Sequence, residues 1–169
     1  MIPAKLIPPG LRYCVAGGWA ACPALASDVD VWVYGEGIDV EAVHAQLTEH
    51  LSREYYDDFE PLTALCSEMR SYEGIVNTRK VGKVWDINSG NTYEVMVCDA
   101  SNPMALLDAF DISTHMVAIN DTGEVIMHDL WTPPTTLPVV HWTTDKTPER
   151  LRKICARFGH SYEEAAVGL

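Results

Sequence analysis

Two aspartates separated by one valine constrain the fold of this 169-residue chain more than any other feature. In the segment 28–33, valines alternate with Asp28, Asp30 and a tryptophan, which is the two-residue period of a β-strand. Both carboxylates of such a strand point to the same face. Like charges held this close together are costly unless cations lie between them. The segment therefore predicts a strand that presents an acidic, cation-binding pair.

Two consecutive glycines, Gly17 and Gly18, end a short apolar run upstream of this strand, and Ser27 directly precedes the acidic pair. Glycines let a backbone turn approach a phosphate group without a clash from Cβ. Carboxylates suit Mg²⁺, which prefers carboxylate, water and phosphate oxygens. The combination favours a site for metal and nucleotide over its alternative, a solvated Asp-x-Asp edge strand beside an ordinary turn.

The formal net charge of −12, from 24 acidic residues against 12 Lys and Arg, excludes some partners. A chain this acidic repels polyanions, so we expect no binding to long duplex DNA, whereas a small nucleotide needs only a local basic patch. No apolar run approaches the length that spans a bilayer, so we expect no membrane association. The first residues lack the apolar segment of a secretory signal, and we expect a cytoplasmic protein.

Periodicity and turn residues predict a mixture of strands and helices in a single domain over residues 1–169. Helices are expected at 40–53 with Asp39 as N-cap, at 103–109, and at 148–157 with Thr147 as cap and Gly159 past the end. Strands are expected at 28–33, 75–76, 81–87, 92–98, 112–120 and 124–130, with a hairpin turn at 88–91 and an ordered loop at 132–147. The segment 11–16 is expected to be a short buried strand or the end of a helix.

The glycine pair followed by the acidic pair resembles the nucleotidyltransferase superfamily, in which an apolar strand ends in Gly-Gly or Gly-Ser and an acidic pair lies on the next strand. The resemblance implies an α+β fold, a mixed sheet flanked by helices. It also implies that Asp28 and Asp30 bind two Mg²⁺ (or Mn²⁺) ions, which carry a nucleoside triphosphate and activate an attacking hydroxyl. Gly17, Gly18 and Ser27 would then contact the phosphates.

The family completes its metal site with a third carboxylate on a neighbouring strand. Glu94, on the strand expected at 92–98, is the first choice for this catalytic and metal-binding role. Asp111 is the second choice and Asp86 the third. A solvent-exposed acid on a strand face is the alternative interpretation of Glu94.

The later chain resembles a branch of that superfamily found in large DNA viruses and phages, so that the resemblance covers roughly residues 12–160. The corresponding segments here are Tyr93–Val97, Phe110–Ser113, Arg150–Lys153 and Arg157–Gly159.

Basic residues on the last helix are candidates for neutralising phosphates. Arg150, Lys153 and Arg157 share one helix face. The alternative interpretation of this face is a solvent-exposed surface without a ligand. Arg79, Lys80 and Lys83, in and before the hairpin, are further candidates. His115 follows the Phe110–Ser113 motif and is either a structural histidine or a residue near the site.

Two functions are compatible with this sequence. The first is transfer of a nucleotidyl group from a nucleoside triphosphate to a hydroxyl or amine of a small molecule, a protein or an RNA end. The second is a non-catalytic module of the same fold that binds a nucleotide or a host protein partner. The third carboxylate distinguishes them, because without an acid in reach of Asp28 and Asp30 the binding function is favoured.

Overall fold

The computed structural model describes residues 2–54, 58–61, 69–72 and 75–169. The strands are β1 (Arg12–Ala16), β2 (Val29–Tyr34), β3 (Phe59–Pro61), β4 (Met69–Tyr72), β5 (Ile75–Asp86), β6 (Thr92–Cys98), β7 (Val117–Asn120) and β8 (Val125–Met127). The helices are α1 (Gly18–Ala21), α2 (Val40–Glu54), α3 (Pro103–Leu107), α4 (Thr147–Phe158) and α5 (Tyr162–Ala165), with 3-10 turns at Pro23–Leu25 and Ser113–His115.

The described strands form one mixed sheet in the order β3-β5-β6-β2-β1-β7-β8, and β4 also pairs with β5. β2 and β6 run parallel, whereas every other pairing among these strands is antiparallel. β2, which begins directly after Asp28 and contains Asp30, therefore lies at the centre of the sheet beside β6. This arrangement confirms the expected α+β architecture of a mixed sheet with helices.

Side-chain alternation divides the core between the two faces of the sheet. On one face the valines of β2 and β6 pack with Leu47 and Leu51 of α2. On the other face Trp32 and Met96 pack with Leu106 and Leu107, at the end of α3. Asp30 and Glu94 have the strand parity of this second face. Asp30 and Glu94 therefore lie on the face of the sheet opposite to α2.

Helix ends follow the sequence pattern at α2 but differ at α4. The Asp39 carboxylate accepts a hydrogen bond from the Ala42 N–H at 3.1 Å, which confirms it as a cap. At α4 the capping residue is Lys146, and Thr147 is the first helical residue. The expectation that Thr147 caps the helix was wrong, because its hydroxyl donates to Asp111 instead. Gly159 ends α4 in the left-handed conformation, with φ of 74°.

Several predicted strands have different bounds in the structure, and the expected strand 124–130 is limited to Val125–Met127. β5 is continuous from Ile75 to Asp86, where two separate strands were expected. The segment 112–116 is not part of β7, because Ser113 is held by the loop that follows β8: its hydroxyl contacts the Thr132 hydroxyl at 2.6 Å and accepts from the Val139 N–H at 2.9 Å. Residues 55–57 and 62–68, in a stretch that the sequence left ambiguous, lie outside the described part of the chain. Within that described part, no helix has the length and apolar character that crossing a membrane requires.

Candidate functional site

The parallel pairing of β2 with β6 places two of the predicted acids side by side. Asp30 is in register with Glu94, and Val29 with Tyr93. Asp28 immediately precedes β2. The sequence-based expectation that the strand of Glu94 neighbours the strand of the acidic pair is therefore confirmed. Sequence alone did not supply the parallel register, because it depends on how the chain crosses from β2 to β6.

The glycine turn lies against this acidic edge. Gly17 has φ of 91° and ψ of −142°, a conformation that residues with a Cβ rarely adopt. A Cβ at this position would lie 3.7 Å from Oδ2 of Asp30 and 3.9 Å from the Phe110 ring. The backbone of Gly17 thus approaches Asp30 closely, as the spacing of the two motifs predicted.

Two lysines of β5 neutralise the acids. Lys83 Nζ donates to Asp28 Oδ2 at 2.6 Å, and Lys80 Nζ pairs with Glu94 Oε1 at 2.5 Å. The hydrogen bond to Asp28 raises the pKa of Lys83; partial burial opposes the rise, and the charges of Asp28, Glu94 and Asp30 add to it. The Lys83 ammonium is therefore within electrostatic reach of all three acids.

A register shift in β5 explains why both lysines reach the same group of acids. Lys80 pairs with Met96 and Lys83 with Glu94, and the irregularity lies between Lys80 and Gly82. An extra residue at a bulge changes the face to which the following side chains point. Two residues three positions apart thereby share one face, which strict strand alternation would forbid. The sequence made these lysines candidates for neutralising phosphates, whereas in this structure they bind carboxylates.

Across the residues that the structure describes, no group of three His, Cys, Asp or Glu side chains is arranged to hold a metal ion. Asp28, Asp30 and Glu94 are thus neighbours on the sheet without forming a ready ligand cluster. The ion pairs with Lys83 and Lys80 account for this, because each directs a carboxylate toward an ammonium group.

A cavity of about 90 Å³ opens beside Asp30. It is lined by Gly17, Asp30, Trp32, Phe110, Asp111, His115 and Arg150. The Trp32 and Phe110 rings pack at a tilt, with centroids 5.9 Å apart. Trp32 has the strand parity of Asp30, so alternation along β2 could have assigned it to this cavity. The position of Phe110 is decided by the tertiary structure.

Asp111, the second choice for the third carboxylate, is buried at 3% exposure and occupied by other partners. Its Oδ2 accepts from Arg150 Nη1 at 2.5 Å and from Thr147 Oγ1 at 2.6 Å. Asp86, the third choice, accepts hydrogen bonds from the N–H groups of Asn88 and Ser89 in the hairpin turn. The structure thus gives Asp86 a part in the turn and joins Asp111 to α4.

Arg157 lies against the second glycine. A Cβ on Gly18 would be 2.5 Å from Arg157 Nη1 and 3.6 Å from His115 Nε2. Burial lowers the pKa of His115 to about 4, the charges of Arg157 and Arg150 act in the same direction, and Asp111 opposes them. The His115 Nε2 is shielded from solvent and has no hydrogen-bond partner among the described residues. Two guanidinium groups and one neutral imidazole therefore surround the space beside the glycine turn.

Of the remaining predicted site residues, Lys153 has its partner elsewhere on α4, and Ser27 lies at the surface next to Asp28. Ser27 is exposed in the bend before β2. Lys153 pairs with Glu149 one turn earlier on α4, and both side chains are largely exposed. Helix periodicity made Lys153 and Arg157 equal candidates for a place at the site. The structure places Arg157 at the glycine turn.

The fold is similar to that of solved nucleotidyltransferase structures. A tRNA-processing enzyme solved with CTP matches with a TM-score of 0.51 and 19% identity, over 89% of this chain and 40% of that chain. A CCA-adding enzyme in complex with CTP matches with a TM-score of 0.50 and 17% identity, over 90% of this chain and 36% of that one. Identities this low show a shared fold, and this chain spans less than half the length of either structure. The sequence matches no protein-family model. It matches no curated protein either.

Proposed function

We propose that this chain is a metal-dependent nucleotidyltransferase that moves a nucleotidyl group from a nucleoside triphosphate to a hydroxyl or amine acceptor. The observation that carries the proposal is the register of Asp30 with Glu94 on adjacent strands, with Asp28 before them and the Gly17 backbone beside them. The nucleotidyltransferase-like fold supports it independently.

The donor set fits a divalent metal ion. Asp28, Asp30 and Glu94 offer carboxylate oxygens, the ligands that Mg²⁺ and Mn²⁺ prefer. The two ammonium groups on these acids indicate that this position attracts positive charge. We infer that the three acids hold the metal once Lys83 and Lys80 withdraw. A bound Mg²⁺ or Mn²⁺ supplies electrostatic stabilisation of the charge that develops on the phosphoryl group and on pyrophosphate.

The triphosphate is assigned to the cationic side of the cavity. Arg150 and His115 line the cavity, and Arg157 lies at Gly18. Guanidinium groups bind phosphate oxygens through paired, directional hydrogen bonds. The neutral His115 has an unpartnered Nε2 to offer the same ligand. The cavity thus lies between Asp30, one of the proposed metal ligands, and the proposed phosphate-binding residues Arg150 and His115.

CTP is the first nucleotide to test, because two of the similar structures contain it. The acceptor is a small molecule, a protein side chain or an RNA end. Long duplexes are disfavoured by the net charge of −12.

The test is pyrophosphate release and label transfer from each of the four nucleoside triphosphates with Mg²⁺ or Mn²⁺. We expect Asp30→Asn to lower metal-dependent turnover by about 100-fold or more, because it removes one charge from the metal-binding pair. Asp145→Asn, at an exposed position before α4, is the matched control and should retain turnover. Turnover that survives Asp30→Asn shows that the site is assigned incorrectly.

A second candidate is a non-catalytic module of this fold that binds a nucleotide or a protein partner. The ion pairs Lys83–Asp28 and Lys80–Glu94 favour it, because they neutralise the acids without any metal. Nucleotide-dependent thermal stabilisation without turnover of any triphosphate supports this second function, since a ligand that binds only the folded state raises its stability.

A further inference from the structure

We infer that Asp111 is a positioning residue, which holds Arg150 in the orientation that receives the phosphates. The inference rests on the proposed assignment of the triphosphate to the cationic side of the cavity. It assigns to Asp111 a role other than that of third metal ligand.

The Asp111 carboxylate is engaged on the side of α4. Its Oδ2 accepts from the Arg150 guanidinium at 2.5 Å and from the Thr147 hydroxyl at 2.6 Å. That hydroxyl is itself fixed, because it accepts from the Thr144 N–H at 2.8 Å. The Asp111 carbonyl accepts from the His141 N–H at 2.9 Å, so the backbone is held as well. A buried carboxylate with these contacts is a fixed point against which α4 is oriented.

Arg150 is the group that this fixed point orients. Its guanidinium is planar and carries five donors in a rigid arrangement, so fixing one nitrogen restricts the direction of the others. The side chain keeps 32% exposure and lines the cavity that contains Asp30 and His115. The donors that do not face Asp111 are therefore available to a ligand in that cavity.

The inference can be tested by whether removing the charge of Asp111 strengthens or weakens phosphate binding. A carboxylate beside an anion site repels the anion, so removing its charge should tighten phosphate binding if electrostatics alone decides. If Asp111 instead positions Arg150, removing the charge releases the guanidinium and weakens binding. The two roles predict opposite changes for Asp111→Asn.

The experiment is calorimetric titration of inorganic tripolyphosphate into the protein in the presence of EDTA. We expect Asp111→Asn to bind roughly tenfold more weakly than the parent protein, the effect of losing one charge-assisted hydrogen bond. Arg150→Ala should lose at least as much, and adding Asp111→Asn to it should cause no further loss. Thr147→Val removes the other donor from Asp111 but leaves the ion pair, so it should retain most of the affinity. A merely structural role would make Thr147→Val and Asp111→Asn behave alike.

Unchanged or tighter binding by Asp111→Asn overturns the inference, and so does loss of Mn²⁺ binding in that variant. If Asp111→Asn does not fold, Arg150→Lys decides, since it keeps the charge and loses the planar geometry; full affinity in that variant overturns the inference. A parent protein that does not bind tripolyphosphate overturns it as well. If the parent protein shows no turnover but Asp111→Asn still weakens tripolyphosphate binding, the inference stands and the proposed transferase function fails. If the parent protein shows turnover but Asp111→Asn leaves tripolyphosphate affinity unchanged, the transferase function stands and the inference about Asp111 fails.

Discussion

At the scale of single residues, three acids at the site are each paired with a base. Lys83 contacts Asp28, Lys80 contacts Glu94, and Arg150 contacts Asp111. The pairs of Asp28 and Glu94 are partly exposed, whereas the Asp111 carboxylate is buried. Partly exposed pairs contribute little to stability, so their main effect is on what else the acids bind. If Asp28 and Glu94 hold the proposed metal ion, that ion and the lysines compete for the same oxygens.

Lys83→Gln tests this competition. We expect the variant to bind Mn²⁺ roughly fivefold more tightly, because a partly exposed ion pair worth at most about 1 kcal/mol no longer has to be broken. Lys153→Gln is the control, since it removes the same charge from a largely exposed pair on α4. Calorimetric titration with MnCl₂ measures both variants. Weaker Mn²⁺ binding in Lys83→Gln contradicts the assignment of Asp28 as a ligand.

Gly18→Ala tests the contact between the glycine turn and Arg157. The new Cβ would lie 2.5 Å from Arg157 Nη1, so the end of that flexible side chain must move away. We expect a small change in Tm and clearly weaker tripolyphosphate binding. Gly35→Ala is the matched control, because its Cβ would meet Ile38 only at an ordinary contact distance of 3.7 Å. Unchanged affinity in Gly18→Ala would show that Arg157 takes no part in anion binding.

At the scale of elements, the hairpin of β5 and β6 brings both lysines and Glu94 to the acidic pair. Its turn is fixed by Asp86, which accepts from the N–H groups of Asn88 at 3.1 Å and Ser89 at 3.2 Å, and from the Ser89 hydroxyl. The turn sets the register of the hairpin, and the bulge after Lys80 then adjusts which face its side chains share.

Asp86→Ala should therefore lower stability without altering the metal site. We expect a loss of about 1–3 kcal/mol in the free energy of unfolding, because the turn loses its hydrogen bonds to a charged acceptor. Chemical denaturation measures this loss, with the exposed Asp145→Ala as control. Mn²⁺ affinity of the folded variant should be unchanged; its loss would place Asp86 at the site.

At the scale of the whole molecule, charge and pH act together. The chain has a net charge of −12, and four of its cationic side chains lie at the acids and the glycine turn: Lys80, Lys83, Arg150 and Arg157. Lowering the pH has a specific effect on stability, because the imidazole of His115 lies beside the positive charges of Arg157 and Arg150.

His115 should make the protein less stable as the pH falls. Its folded pKa of about 4 is below the ordinary value of 6.5, so between these values the unfolded chain binds a proton that the folded chain does not. Stability is unaffected by this group above pH 6.5 and decreases by up to about 1.4 kcal/mol per pH unit as the pH falls toward 4. In His115→Gln this part of the slope should disappear. Thermal unfolding from pH 7 to 4 measures the difference, and parallel profiles for the two proteins would contradict it.

The sequence by itself determined several elements of this protein, among them the strand of its acidic pair. Alternation fixed β2, Asp39 and the apolar stripe fixed α2, and the turn residues at 88–91 fixed the hairpin. These features follow from local geometry, because side-chain period, caps and turns depend on residues a few positions apart.

The tertiary structure decided what surrounds the acids. The parallel register that sets Glu94 beside Asp30 depends on a crossover, and the bulge that turns Lys83 toward Asp28 breaks strand alternation. The role of Asp111 was likewise beyond sequence reasoning, since its partners on α4 lie 36 and 39 positions away. Contacts between residues this far apart depend on how whole elements pack, and no local period records that packing.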